Sequence, residues 1–274
     1  MTIAIVAKSS RHKCFVSISD RMISFDDQVP AIDNAVFKDL PIRFPNWNMV
    51  FAANNPDFVG PIWQAAVASL AATSYQPSLA QVEDAVCNAY SEVVQKYVTR
   101  QYLTKFGFKT IDEFRKAGAS QLGRRFFGSL TRKIDGFEAG VQLLVYGFDH
   151  TAQKSPHMFK VDSPGNVVNL DHLGSYAIGS GTNMAIASLN LRPLDNLSAG
   201  GLAYRLCEAK FSAETASGVG RTTTGFFMNM NGYSTPITLG TIEKFRSYWE
   251  KWRIEPPPKE ISDQIIEIPD LPSD

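Results

Sequence analysis

Leu143-Leu144-Val145-Tyr146-Gly147-Phe148-Asp149 reads as the second half of a strand that starts at Ala139. Downstream, Pro156 to Asp162 has strand character, Ser163-Pro164-Gly165-Asn166 is a turn by composition, and Val167-Val168-Asn169-Leu170 returns. These pieces predict a β-meander with Gly165 in its turn. Tyr176-Ala177-Ile178-Gly179-Ser180-Gly181 ends a further strand in a glycine-bounded turn. Thr182 to Leu189 and Leu202 to Ala213 read as helices, the second with Leu202, Leu206 and Ala209 on one face. Ser217-Gly218-Val219-Gly220-Arg221 is a tight loop, and Thr223 to Met230 reads as a strand.

Upstream, residues 100–135 scatter Phe106, Phe108, Phe114, Phe126 and Phe127 among basic residues. Such interleaving suits nucleic acid, but with Asp112 and Glu113 alongside, a helical insertion packed on a neighbour is the favoured reading. Before it, Ser78-x-x-Gln81 has the form of a capping box, and Leu79, Val82, Val86, Tyr90, Val93, Val94 and Tyr97 continue as a long amphipathic helix. Val59, Ile62, Trp63, Ala66, Val67 and Leu70 recur at helical spacing after the turn Asn54-Asn55-Pro56-Asp57. The N-terminal part offers four short strands: Ile3–Val6, Cys14–Ser19 closed by Asp20-Arg21, Val36–Lys38 and Met49–Ala53. Strands, two helices, insertion, strands, two helices, strand is the order of an α+β fold, a four-layer αββα sandwich. The expectation is a single domain over 1–252, with the insertion at 100–135 and an extended Pro- and acid-rich arm at 253–274.

Of 274 residues, 44% are hydrophobic and 20% charged, enough apolar material for a sizeable core. Lys plus Arg and Asp plus Glu both number 27, and a formal charge of zero argues against nucleic acid or an anionic membrane as partner. Cys14, Cys87 and Cys207 are widely separated, which suggests neither a disulfide framework nor a zinc site. No metal and no cofactor are expected. The four histidines fall in predicted loops or strand ends, so no serine–histidine pair is implied. With neither a signal-peptide pattern nor an apolar run of membrane length, the expected compartment is the cytoplasm.

The chain opens Met1-Thr2-Ile3-Ala4-Ile5-Val6-Ala7. An initiator Met ahead of a residue as small as Thr is commonly trimmed. Thr2 would then carry a hydroxyl and an α-amine on one residue, held by a strand.

Gly-x-Asp at the end of a strand, Val161-Asp162-x-x-Gly165 in a hairpin and Gly179-Ser180-Gly181 in a turn occur here in that order. In order and spacing the chain resembles the proteasome β-subunit family, including the bacterial proteasome-like N-terminal nucleophile (Ntn) hydrolases, from Thr2 to about Met230 without the insertion. The resemblance implies an N-terminal nucleophile at Thr2, an aspartate at Asp20, a lysine beside the nucleophile at Lys38, and a supporting serine at Ser180. It puts Ala53 where a glycine usually offers an oxyanion N–H, and Glu214-x-x-Ser217-Gly218 where Asp-x-x-Ser-Gly supports the nucleophile. Glu for Asp lengthens one support by a methylene, and Ala for Gly adds a methyl near substrate.

The implied activity is that of a threonine endopeptidase acting on peptide or unfolded protein inside a homo-oligomeric ring, with an ATP-dependent unfoldase as a further partner. A threonine hydroxyl needs a base, and an α-amine with a pKa of about 7.7–8.0 is suited to serve. An ammonium at Lys38 would stabilise charge on the hydroxyl oxygen, Asp20 would hold that ammonium, and the Ala53 N–H would face the tetrahedral oxyanion. Two other readings share these residues: an amidohydrolase of a small amide, and a non-catalytic scaffold subunit.

Overall fold

The structure, a computed structural model, describes residues 2–9, 13–22, 36–43, 46–73, 76–192, 194, 197–231 and 234–254. Met1, residues 10–12 and residues 255–274 of the expected arm lie outside the described residues. The chain begins with the hairpin β1 (Ile3–Ser9) and β2 (Cys14–Asp20), then β3 (Asp39–Arg43) and β4 (Trp47–Ala53). Helices α1 (Val59–Ala71), α2 (Leu79–Val98), α3 (Ile111–Leu122) and α4 (Arg124–Asp135) follow. Next come β5 (Val141–Asp149), β6 (Ser155–Asp162), β7 (Asn166–Asn169) and β8 (Ser175–Gly179). Helices α5 (Thr182–Asn190) and α6 (Ala199–Ala213), strands β9 (Thr223–Asn229) and β10 (Ser234–Pro236), and helix α7 (Leu239–Ile254) complete it.

The strands form two five-stranded antiparallel sheets, ordered β10-β9-β2-β1-β8 and β3-β4-β5-β6-β7. β1 lies inside the first sheet, between β2 and β8. Side chains alternate across a strand, so Ile3, Ile5 and Ala7 join the apolar cluster of α5 and α6, while Ala4 and Val6 join one shared with the second sheet. In that second cluster the Phe15 ring meets Tyr146 at 5.4 Å and Phe148 at 5.2 Å between centroids. Two buried faces explain why residues 3–7 are all apolar. Each buried Ile or Val in such a strand contributes about 1.5–3 kcal/mol.

Helices α1 and α2 cover the second sheet through Ile62, Ala66, Leu70, Val82, Val86 and Tyr90. The predicted capping box is present: the Ser78 N–H donates to Gln81 Oε1 at 2.9 Å, and the Gln81 N–H donates to Ser78 Oγ at 3.4 Å. Asp149, the aspartate closing Gly-x-Asp, accepts the Leu79 N–H at 2.8 Å and so ties the end of β5 to the start of α2. Burial works against its charge. Hydrogen bonds from Thr151 and from the Leu79 N–H outweigh it and hold its carboxyl below the usual range.

The structure corrects the fold class expected from the sequence. What the described residues show is two antiparallel five-stranded sheets with seven α-helices, and the Ntn four-layer αββα sandwich does not stand as the description. Residues 100–135 contain α3 and α4 and pack into the main core. Leu103, Phe108, Phe114, Leu130 and Ile134 belong to the same core as α1, α2, β4 and β5. Past β9 the chain forms β10 and the sixteen-residue helix α7, so it is helical at 253–254, where an extended arm was expected. The signal for α7 was Ile242, Phe245 and Trp249 at helical spacing, all packed on the α6 cluster. The strand expected at Val36–Lys38 begins instead at Asp39. Among the described residues no helix is long and apolar enough to cross a membrane.

Candidate active site

Thr2 stands at the head of β1, 3% exposed. The β1–β2 register pairs Ala4 with Ser19, which brings the next residue of β2, Asp20, beside the start of β1. Asp20 Oδ1 accepts the Thr2 hydroxyl at 2.5 Å, the Ile3 N–H at 3.0 Å and the Lys38 ammonium at 2.6 Å. Its Oδ2 accepts the Gly220 N–H at 3.0 Å. A carboxylate offers roughly four lone-pair sites, and here four donors occupy it. Lys38 Nζ also donates to Thr2 Oγ1. Lys38 reaches the site from the segment just ahead of β3, where its carbonyl accepts the Phe51 N–H of β4 at 3.3 Å.

Lys38 is 1% exposed and Asp20 is 0% exposed, so the charges answer each other rather than water. A buried pair with good geometry and satisfied partners offsets its desolvation; an isolated charge at either position would not. The Thr2 oxygen therefore sits against a fixed positive charge. That arrangement favours negative charge on the oxygen and suits a nucleophile.

Gly179, at the end of β8, has φ +102°, and a Cβ there would lie 2.2 Å from the Thr2 carbonyl oxygen. Only glycine fits this approach. Its N–H donates to Gln142 Oε1 at 3.1 Å. Ser180 Oγ donates to the Thr2 carbonyl at 3.3 Å and to the Ser217 carbonyl at 3.4 Å, bridging the head of β1 and the 217–221 loop. A cleft of about 490 Å³ opens over these groups, lined by Thr2, Ala53, Asn54, Gln142, Asp162 and Ser180 among others. A larger cavity of about 1100 Å³ lies between α5, α6 and α7 and contains none of the predicted site residues.

The structure thus brings Thr2, Asp20, Lys38, Ala53, Ser180 and Ser217 together, Ser217 through its backbone carbonyl. It does not bring Glu214 to Thr2. Glu214 accepts Lys210 Nζ at 2.6 Å and both terminal nitrogens of Arg246, at 2.6 and 2.8 Å. The extra methylene relative to Asp lets its carboxylate turn toward α7. Sequence reasoning placed Gly179 and Gly220 in turns without a role beside Thr2, and it missed Gln142, Lys210 and Arg246. The spacing of Lys210 and Glu214, four residues apart on a helix, was a legible pair signal; nothing in the sequence linked it to Asp20.

The cysteines are poor thiolates: burial pushes Cys207 up to about 12, Cys87 up to about 11, and Cys14 above its ordinary value. His157 is the third residue of β6, near the strand's start, and pairs with Asp171 at 2.6 Å. Among the described residues no group of three or more His, Cys, Asp and Glu side chains is placed to hold a metal ion.

No family model matches the chain. No curated protein matches it either. The structure is similar to a solved Gly-1 mutant of Anbu from Hyphomicrobium sp. strain MC1, with a TM-score of 0.65, 13% identity, and 100% of each chain covered. At that identity the likeness is one of fold. The resemblance to the proteasome β-subunit and Ntn hydrolase family that the motifs suggested is accordingly corrected to a likeness in fold to this Anbu structure. The physical reason lies in the motifs. Val161-Asp162-x-x-Gly165 is the β6–β7 turn and Gly179-Ser180-Gly181 the β8–α5 turn, and turn chemistry recurs across unrelated chains.

Proposed function

We propose that the chain is a proteasome-like threonine endopeptidase whose nucleophile is the Thr2 hydroxyl, freed for catalysis when Met1 is removed. One observation carries the reading: that hydroxyl is held between Lys38 and Asp20 beside an open cleft. The Thr2 α-amine, with an ordinary pKa of about 7.7–8.0, takes the hydroxyl proton. The oxygen attacks the substrate carbonyl, and the Lys38 ammonium stabilises its charge during attack. The Ala53 N–H stabilises the tetrahedral oxyanion. Collapse expels the leaving amine with a proton from the Thr2 ammonium and leaves an ester on Thr2, which water hydrolyses. The chain assembles with copies of itself into a ring that encloses these clefts, and an ATP-driven unfoldase feeds it.

A peptide β-lactone tests the nucleophile, because ring opening by a threonine hydroxyl adds the whole reagent mass. The expected result is an intact mass lacking Met1, with one label per chain on Thr2. Thr2→Ala lowers labelling and peptide turnover by at least about 10³-fold while native mass spectrometry gives the same assembly. A mass that retains Met1, with no label, overturns the reading; a strict monomer overturns the ring.

A further inference from the structure

The 217–221 loop is fixed from behind by charges that the reaction proposed above does not use. Lys210, on α6 and 0% exposed, donates to Glu214, to the Gly220 carbonyl at 2.7 Å and to the Arg221 carbonyl at 2.9 Å. Arg246, on α7, grips Glu214 with two nitrogens and donates to the same Arg221 carbonyl at 2.9 Å. Its guanidinium lies over the Phe211 ring, 4.1 Å from the centroid. Gly220 is thus held on its carbonyl side by Lys210, while its N–H holds Asp20 Oδ2 at 3.0 Å.

We propose that Arg246, through Glu214 and Lys210, is a positioning residue for the Thr2 site: the clamp orients the Gly220 N–H, and that N–H orients the Asp20 carboxylate between Thr2 and Lys38. The proposal rests on the reading of Thr2 as nucleophile. A buried charged cluster is a poor device for stability alone, since apolar side chains of similar volume commonly serve as well or better. What Lys210 supplies and a methionine would not is a set of donors to two successive carbonyls, which fixes the Gly220–Arg221 peptide plane. Desolvation lowers the Lys210 pKa, with Glu214 opposing and the Arg246 charge adding to the lowering. Arg246 is partly exposed on α7, so it can be changed with less disturbance than Lys210.

The test uses the full chain and the peptide β-lactone. Labelling at saturating reagent yields two quantities: an amplitude that reads the fraction of intact sites, and a first-order rate constant that reads their alignment. Arg246→Ala lowers the rate constant by about tenfold or more, as expected for a small misplacement of reacting groups, and leaves the amplitude near that of the unaltered chain. Arg246→Lys restores part of the rate. Lys210→Met lowers the rate constant in the sites that form; should it fail to fold, Arg246→Ala decides. An unchanged rate constant with a reduced amplitude makes the clamp a structural staple and overturns the proposal. No label on the unaltered chain sinks the nucleophile reading and this proposal with it, a result unlike either of the others.

Discussion

Lys38 and Asp39 are neighbours in the chain, both are buried, and they meet opposite fates. The Lys38 ammonium enters the Thr2 site and finds a carboxylate at 2.6 Å. The Asp39 side chain enters the space between the sheets and finds hydroxyls and an amide: Ser17, Tyr146 at 2.5 Å and Asn48 at 2.9 Å. Burial pushes the Asp39 carboxyl up to about 6 even though all three neighbours donate to it. The Tyr146 hydroxyl is raised well above its ordinary value, by burial first and then by Asp39. One cluster is a matched charge pair against the Thr2 hydroxyl. The other is a single charge under protest, worth more as a hydrogen-bonded core network than as chemistry. Burial of a titratable group does not mark a site by itself; a partner and an open cleft do.

The sharpest way to break this contrast is Lys38→Met, which strands Asp20 as a buried carboxylate without its cation. Urea denaturation should show a loss of about 3–5 kcal/mol, with β-lactone labelling abolished. A loss below about 1 kcal/mol would mean that the pair is not held as described. Asp39→Asn probes the other side through pH. The folded carboxyl titrates near 6 and the unfolded one near 3.9. Between those values the unfolded state binds fewer protons, so this group makes stability fall as pH rises from about 4 to about 6. The stability of the unaltered chain relative to Asp39→Asn should drop by about 3 kcal/mol, in order of magnitude, as pH rises from about 4 to about 7. A flat difference removes the buried-charge account. The smallest effect belongs to Ser180→Ala. Its bonds to the Thr2 and Ser217 carbonyls are long, 3.3 and 3.4 Å. Stability should change by about 1 kcal/mol or less and labelling by less than about tenfold.

Much of the framework was legible because its signals are local. A two-sided apolar β1, the Ser78–Gln81 box and the Gly165 turn each act within a few residues. Thr2, Asp20 and Lys38 could be singled out from the sequence, and the structure places them within hydrogen-bond reach. What was not legible depends on distance along the chain. Glu214 looked like a support for Thr2 until Arg246, 32 residues later, drew it away. Phe108 and Phe114 carried no clear period, and only packing on each other and on Phe127, within the cluster that α1 and α2 share, made their segment part of the core. Lys210 is a surface residue by type and wholly buried by place.

The link from Arg246 back to Asp20 also bears on when the surroundings of Thr2 are complete. Thr2 and Arg246 lie about 240 residues apart in the sequence. Chains fold progressively as they leave the ribosome, yet the inner strand β1 needs β8 at one edge, and the Gly220 loop needs α7 behind it. A nascent chain therefore carries Thr2 without the backing that aligns Asp20 beside it until α7 has been made.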